Sequence, residues 1–354
     1  MKCYCLNNFL SSLQKKDVDL PIPHTNQVLL KVKASGICHS DIHLCNGYYD
    51  IGMGKRFELK DRGIELPLVL GHEIVGNVVA KGEDAKEVII GDNYVVYPWI
   101  GCGICENCKL SYENYCSNPQ YLGINKPGGF AEYILVPHYK YLVNIKNMDP
   151  AMIAQYACAG LTTYSAINKI EENIYKKKPV VIFGAGGLGL MAISILKALG
   201  AYGSIVITND SNKKKAALEA GALAVFDYND ENLAKKLLDY NSNNKYYSVI
   251  DLVGNSSTTK VSFDILEKSG ALIIVGMFGG LSSWPLAFIP MKALKIIGSY
   301  VGNLSEFNEL MKLVIDQKLD PIQITKYDFD KVNDALSDLR SGRIVGRAVI
   351  INNN

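Results

Sequence analysis

Residues 180–276 alternate short apolar runs with longer amphipathic ones, and few folds accept that order. The runs predict strand Val180–Phe183, helix Leu188–Leu199, strand Ser204–Ile207, helix Lys213–Ala220 and strand Ala224–Phe226. They continue as helix Glu231–Tyr240, strand Ser248–Val253, helix Thr258–Glu267 and strand Ala271–Val275. Units of this length build a parallel, doubly wound α/β sheet. Gly184-Ala185-Gly186-Gly187-Leu188-Gly189 falls between the first strand and its helix and fits G-x-G-x-x-G. In that place the glycines have separate tasks: a tight turn, backbone approach to a pyrophosphate, and close helix-to-strand packing. The free N–H groups of the helix start then face the phosphates. A bound dinucleotide is the expectation.

An NAD site of this type carries Asp or Glu about 20 residues beyond the glycines, at the end of the second strand. Thr208 stands there instead, followed by Asn209, Asp210 and Lys213-Lys214-Lys215. Without the carboxylate nothing repels a 2′-phosphate, and a lysine could neutralise one. The reading leans to NADP and leaves NAD open.

A second chemistry lies outside this unit. The apolar run Leu66–Leu70 delivers Gly71-His72-Glu73, an imidazole and a carboxylate side by side, and both are first-row metal ligands. Upstream, Gly36-Ile37-Cys38-His39-Ser40-Asp41-Ile42-His43 crowds a thiol, a hydroxyl, a carboxylate and two imidazoles together. Downstream, helical spacing over 151–157 and 161–167 puts Cys158 and Thr162 at a helix break or start. Cys102, Cys105, Cys108 and Cys116 form C-x2-C-x2-C-x7-C in a Gly- and Asn-rich loop. Four thiolates so spaced can close a tetrahedral structural zinc site, with an iron–sulfur cluster as the other metal reading. Such a site is closed and does no chemistry.

The rest of 1–100 reads as short strands and turns of a small β-barrel-like domain, with 46–65 a polar surface loop. Lys55, Arg56 and Lys60 in that loop could form a cationic rim favouring ω-hydroxy or semialdehyde acids. Beyond Gly276 come a strand at Leu294–Ile297 and a helix Glu306–Gln317 with Ser305 as its N-cap. A helix Lys331–Leu339 and a strand Arg347–Ile351 then return to the first domain, and Asn352-Asn353-Asn354 is a frayed end.

Composition sets outer bounds. At 354 residues the chain fits two domains. With 37 basic and 35 acidic residues it is too balanced to bind nucleic acid through phosphates. No window reaches the ~18 apolar residues of a membrane span, and residues 1–20 show no secretory signal. The expected compartment is the cytoplasm, where nine cysteines point to metal ligands before disulfides.

With Cys38, Gly71-His72-Glu73-x2-Gly76, the four-cysteine loop, Cys158 and the Gly-rich turn in this order, the chain resembles the zinc-containing alcohol dehydrogenases of the medium-chain dehydrogenase/reductase family. The resemblance implies a GroES-like β-barrel catalytic domain over 1–158, completed by 299–354, and a Rossmann domain over 159–298. It implies Cys38, His72 and Cys158 as ligands of a catalytic zinc, Glu73 as a carboxylate that can approach the metal, and Asp41 as the partner orienting His72. Ser40 and His43 match the proton relay. His39, Thr162 and Arg347 match cofactor contacts, joined by Leu188, Thr208, Asn209, Asp210, Lys213, Val253, Val275 and Gly276 around the Gly-rich turn. Trp99 and Tyr121 would line a broad apolar substrate pocket. The polyol branch tends to carry Glu where Cys158 stands, so a simple alcohol or aldehyde is the expected substrate. The resemblance further implies a homodimer or homotetramer, with no nucleic-acid or membrane partner. A zinc-free enone or quinone reductase on the same fold, or a non-catalytic zinc-loop binding protein, are the other readings.

Overall fold

The computed structural model describes residues 1–352. Six parallel strands form one sheet in the spatial order Ala224–Asp227, Ser204–Thr208, Val180–Phe183, Tyr246–Asp251, Leu266–Ile274 and Lys295–Gly298. The chain starts in the middle of this sheet, builds one half and then crosses to the other. The crevice left where the order reverses opens at the carboxyl ends of the central strands. All four residues of Val180–Phe183 are buried, as expected of a strand covered by helices on both faces. Helix Gly187–Ala198 covers it directly after the glycine turn.

The other large sheet is built around strand Val28–Ile37, almost wholly buried along its length. Strand Glu73–Lys81 pairs antiparallel on one side, and the C-terminal strand Arg347–Ile351 does so on the other. Ile324–Asp328, an edge strand absent from the sequence reading, pairs parallel with Arg347–Ile351. Register shifts between Leu29 and Leu30 and between Val32 and Ala34 curve the central strand, the usual effect of bulges. The consequence for function is local. Three adjacent strand ends bring Cys38, Glu73 and Arg347 to one rim.

The structure corrects four expectations. Residues 39–46 are not strand and turn but a helix, His39–Asn46. The Asp41 side chain accepts the Cys38 N–H at 2.9 Å, and Ile42, Leu44 and Cys45 are buried. The loop at 46–65 is a hairpin, Tyr48–Asp50 with Arg56–Glu58, followed by the 3-10 turn Leu59–Arg62, which drives Leu59 into the core at 1% exposure. The helix near 306 is Leu304–Ile315, and its N-cap is Asn303, not Ser305. The Asn303 side chain accepts the Glu306 N–H while Glu306 accepts the Asn303 N–H, both at 2.9 Å, a reciprocal capping box. Finally, Asn352 is buried and donates its N–H to Lys33 O, so fraying does not begin there; Asn353 and Asn354 lie outside the described residues.

Candidate active site and metal centres

Cys38, His72, Glu73 and Cys158 are all buried, and one donor atom from each lies within 4.8 Å of the others. Asp41, with no exposed surface, ties the group together. One oxygen takes the Cys38 N–H, and the other takes the Gly71 N–H at 3.3 Å and sits 3.4 Å from His72 Nδ1. Cys158 stands between the 3-10 turn Ala154–Ala157 and helix Ala159–Ile167, at φ −128° and ψ −70°. The helix break thus sets its thiol across from Cys38, Sγ to Sγ 4.0 Å. Two thiolates on one tetrahedral zinc, each about 2.3 Å from the metal, would be about 3.8 Å apart. Neither His72 nitrogen has a hydrogen-bond partner although both are buried. Two facing thiols and an orphaned buried imidazole are a donor set suited to zinc.

Glu73 is positioned by an absence. A Cβ on Gly36, its cross-strand partner, would collide with the Glu73 carboxylate. Arg347 Nη2 pairs with Glu73 Oε1, which also accepts the Ala159 N–H at 3.3 Å. Burial pushes Glu73 up to about 7 even with Arg347 beside it. The Cys38 thiol is held well below its usual value by its contact with Cys158, while that contact and burial push Cys158 well up. Against its burial, Asp41 and Cys38 hold His72 well above the ordinary imidazole value. Buried anionic donors therefore draw a cation to this point, whether a proton or a metal ion.

The residues expected to bind a dinucleotide meet the candidate metal donors in one cleft of about 360 Å³. Cys38 and Cys158 form part of its wall, with His72 and Glu73 behind them. Also lining it are His39, Ser40, His43, Trp99, Thr162, Gly184, Gly186, Gly187, Leu188, Gly189, Thr208, Asn209, Lys213, Val253, Val275, Gly276 and Arg347. Gly184 takes φ +100°, a Cβ on Gly186 would meet open space, and one on Gly189 would strike the Gly184 carbonyl. Turn, approach and packing are thus divided among the three as a pyrophosphate loop requires. Arg347 Nε and Ser299 Oγ, both buried in this wall, lack partners, which fits a polar cofactor.

Two expected residues are not in the cleft. Asp210 caps helix Ser211–Glu219, accepting the Asn212 and Lys213 N–H groups at 2.9 and 3.0 Å, so its carboxylate is committed to its own helix. Tyr121 lies behind Trp99, ring centroids 5.5 Å apart, and donates its hydroxyl to Asn114 O at 2.7 Å as a core residue. Lys55, Arg56 and Lys60 also stay outside, Arg56 lying over the Tyr48 ring.

Sequence reasoning missed other lining residues. Tyr49 lies tilted 4.8 Å from His43, Phe278 lies 5.8 Å from His39, and Tyr300 lies 6.1 Å from Trp99. Arg62 is a further one. Asp251 shapes the wall from outside it, its carboxylate accepting the Val253 and Gly254 N–H groups at 2.9 and 2.8 Å. The order Asp251-Leu252-Val253-Gly254 at a strand end was a readable turn signal; nothing local marked the aromatics. Burial lowers the imidazole pKa of both His39 and His43.

Cys102, Cys105, Cys108 and Cys116 also gather their sulfurs within 4.8 Å. Cys116 Sγ accepts the Cys102 and Asn118 N–H groups at 3.2 and 3.3 Å. Backbone N–H groups of Ser117 and Cys108 bring Cys105 down to about 6. Main-chain donors thus favour the Cys105 thiolate while burial pushes the Cys108 and Cys116 thiols up, and four gathered sulfurs in a loop with no core of its own suit a bound metal.

A family model described as the alcohol dehydrogenase GroES-like domain matches residues 24–147, and one described as zinc-binding dehydrogenase matches 187–316. The chain is 34% identical over 340 residues, 96% of each chain, to an NAD-dependent alcohol dehydrogenase of Sulfurisphaera tokodaii. The chain belongs to the zinc-containing alcohol dehydrogenases of the medium-chain dehydrogenase/reductase family. It is therefore an oxidoreductase on a GroES-like plus Rossmann fold. It is also 36% identical to a D-arabinose 1-dehydrogenase (NADP(+)) of Saccharolobus solfataricus, over 99% of this chain and 97% of that one. Among solved structures, the alcohol dehydrogenase of Aeropyrum pernix superposes with a TM-score of 0.89 at 29% identity, covering 99% of this chain and 100% of that one. No helix among the described residues is long and apolar enough to cross a membrane.

Proposed function

We propose that this chain interconverts a primary or secondary alcohol and its carbonyl compound. The observation that carries the reading is that the metal-donor thiols Cys38 and Cys158 share one cleft wall with the Gly184–Gly189 turn. Oxidation of the alcohol would remove a hydride from its carbon to a bound dinucleotide and a proton from its hydroxyl, turning the C–O bond into C=O. Cys38, His72 and Cys158 would hold a zinc, which when bound would supply a Lewis acid for the substrate oxygen, and the Gly184–Gly189 turn would hold a dinucleotide supplying the hydride acceptor. Ser40, in the same wall, takes the hydroxyl proton, and His43 carries it outward. Because burial lowers its pKa, His43 is neutral and able to accept that proton at neutral pH. Glu73, held by Arg347 and Ala159, stands beside the donors, where its carboxylate would be within reach of a metal they held.

The cofactor reading inclines to NADP. Thr208 ends the second strand, and Asp210, spent on its helix cap, lies outside the cleft but 3.7 Å from the Lys213 ammonium that lines it, so a 2′-phosphate would share that lysine with a carboxylate already held elsewhere. The relatives divide between NAD-dependent and NADP(+) names. We also assign a second, structural zinc to the four-cysteine lobe, with nine free thiols favouring a reducing, cytoplasmic setting. Assembly into a homodimer or homotetramer is supported by exposed apolar side chains such as Leu286 and Met291. The substrate is a small alcohol or aldehyde, without nucleic-acid or membrane partners.

The test is the initial rate of reduction of one unhindered aromatic aldehyde with NADPH and with NADH. Faster turnover with NADPH supports the whole reading. Preference for NADH removes only the 2′-phosphate site, and no reduction with either overturns the function.

A further inference from the structure

On the function proposed above, the cleft must also hold the part of the substrate that does not react. Arg62 is placed there. It ends the 3-10 turn Leu59–Arg62 and shares the cleft wall with Ser40, Tyr49, Trp99, Cys158 and Tyr300. Its backbone is fixed. Leu59 is buried and donates its N–H to Gly47 O at 2.9 Å, and Gly63, at φ +72°, closes the turn by donating to Lys60 O.

The guanidinium has no anionic partner. Arg62 forms no ion pair among the described residues, although Glu58, Asp61 and Glu65 are near in sequence. What it faces is phenolic: against the upward effect of burial it pulls down the Tyr49 and Tyr300 hydroxyls. Around it the wall is apolar, from Leu59, Ile64, Trp99 and Ile124. The other lysine and arginine in the cleft, Lys213 and Arg347, stand beside the Gly-rich turn and the strand rim. Arg62 is exposed, not packed, and a guanidinium with no anionic partner beside an apolar wall is a good anchor, because its planar fork matches two carboxylate oxygens.

We infer that Arg62 binds a carboxylate at the far end of the substrate, making ω-hydroxy acids and the corresponding aldehyde acids the preferred substrate class. A single fork suits a monoanion. A phosphate ester, carrying more charge, would call for further donors at that end, and Arg62 is the one strong base there.

The experiment compares kcat/KM for ω-hydroxy acids of increasing chain length with kcat/KM for 1-alkanols of matched length. It uses wild-type enzyme, Arg62→Gln and Arg62→Lys. At the best chain length the wild type should favour the acid about tenfold or more, the size of a charged hydrogen-bonded contact. Arg62→Gln should bring the acid-to-alkanol ratio to about one, Arg62→Lys should keep part of it, and added salt should lower the acid rate alone. A ratio near one in the wild type at every length, or a ratio that Arg62→Gln leaves unchanged, overturns the inference while the function stands. Oxidation of neither series with either dinucleotide overturns the function and the inference with it.

Discussion

Gly36 shows how much of this site depends on a missing atom. Its backbone conformation is open to any residue, so alanine there meets no torsional barrier, only the Glu73 carboxylate and its Cβ. Gly36→Ala should cost about 1–3 kcal/mol, as overpacking does, and lower turnover by displacing Glu73 from Arg347; denaturant unfolding with parallel kinetics checks both. His43 gives the pH dependence. A proton acceptor must be neutral, and burial sets this imidazole below its ordinary 6.5. Alcohol oxidation should therefore be flat through neutral pH and fall only as pH drops through that lowered value. In His43→Gln the acid limb should vanish and the rate fall by up to about 100-fold. An unchanged acid limb in the variant would exclude His43 from the relay. The clustering of Cys38, His72, Glu73 and Cys158 was legible because Cys and His are rare, chemically specific and arranged in the family's order. Arg62 was not: a cation in a polar loop carries no mark of the side on which it will lie, and the neighbouring Lys55, Arg56 and Lys60 looked equally suitable. Asp210 misled for a related reason, since its cap bonds are made within three residues and compete with any outward role.

Among elements, the alternating strands and helices of 180–276 could be read to within a few residues because periodicity is strong when one face is buried. Helix His39–Asn46 could not. Its polar residues His39, Ser40 and His43 line a cleft, with Ser40 and His43 half-buried there, so the usual apolar and polar faces are blurred. The cap of helix Leu304–Ile315 separates two readings experimentally. Asn303→Ala should cost about 1 kcal/mol, while Ser305→Ala, which loses only an exposed hydroxyl contact to Glu309 at 3.2 Å, should be close to neutral. Equal costs in denaturant titration would contradict the capping box. Where the chain departs from regular elements, as at the Cys158 helix break, the departure is what aims the ligand.

At the scale of the whole molecule, two sheets divide the chemistry. The antiparallel sheet carries Cys38, Glu73 and Arg347 on one rim, the parallel sheet carries the glycine turn, and the cleft joins them. The four-cysteine lobe stands apart from that division: Cys105→Ser should lose one zinc per chain and unfold at lower temperature, as metal analysis and calorimetry would record. The most direct test of the central claim is Cys38→Ser, assayed together for zinc content, dinucleotide binding and alcohol oxidation. Two zincs per wild-type chain and one in the variant are expected, with dinucleotide binding kept and oxidation lost. Alcohol oxidation retained by Cys38→Ser would contradict that claim.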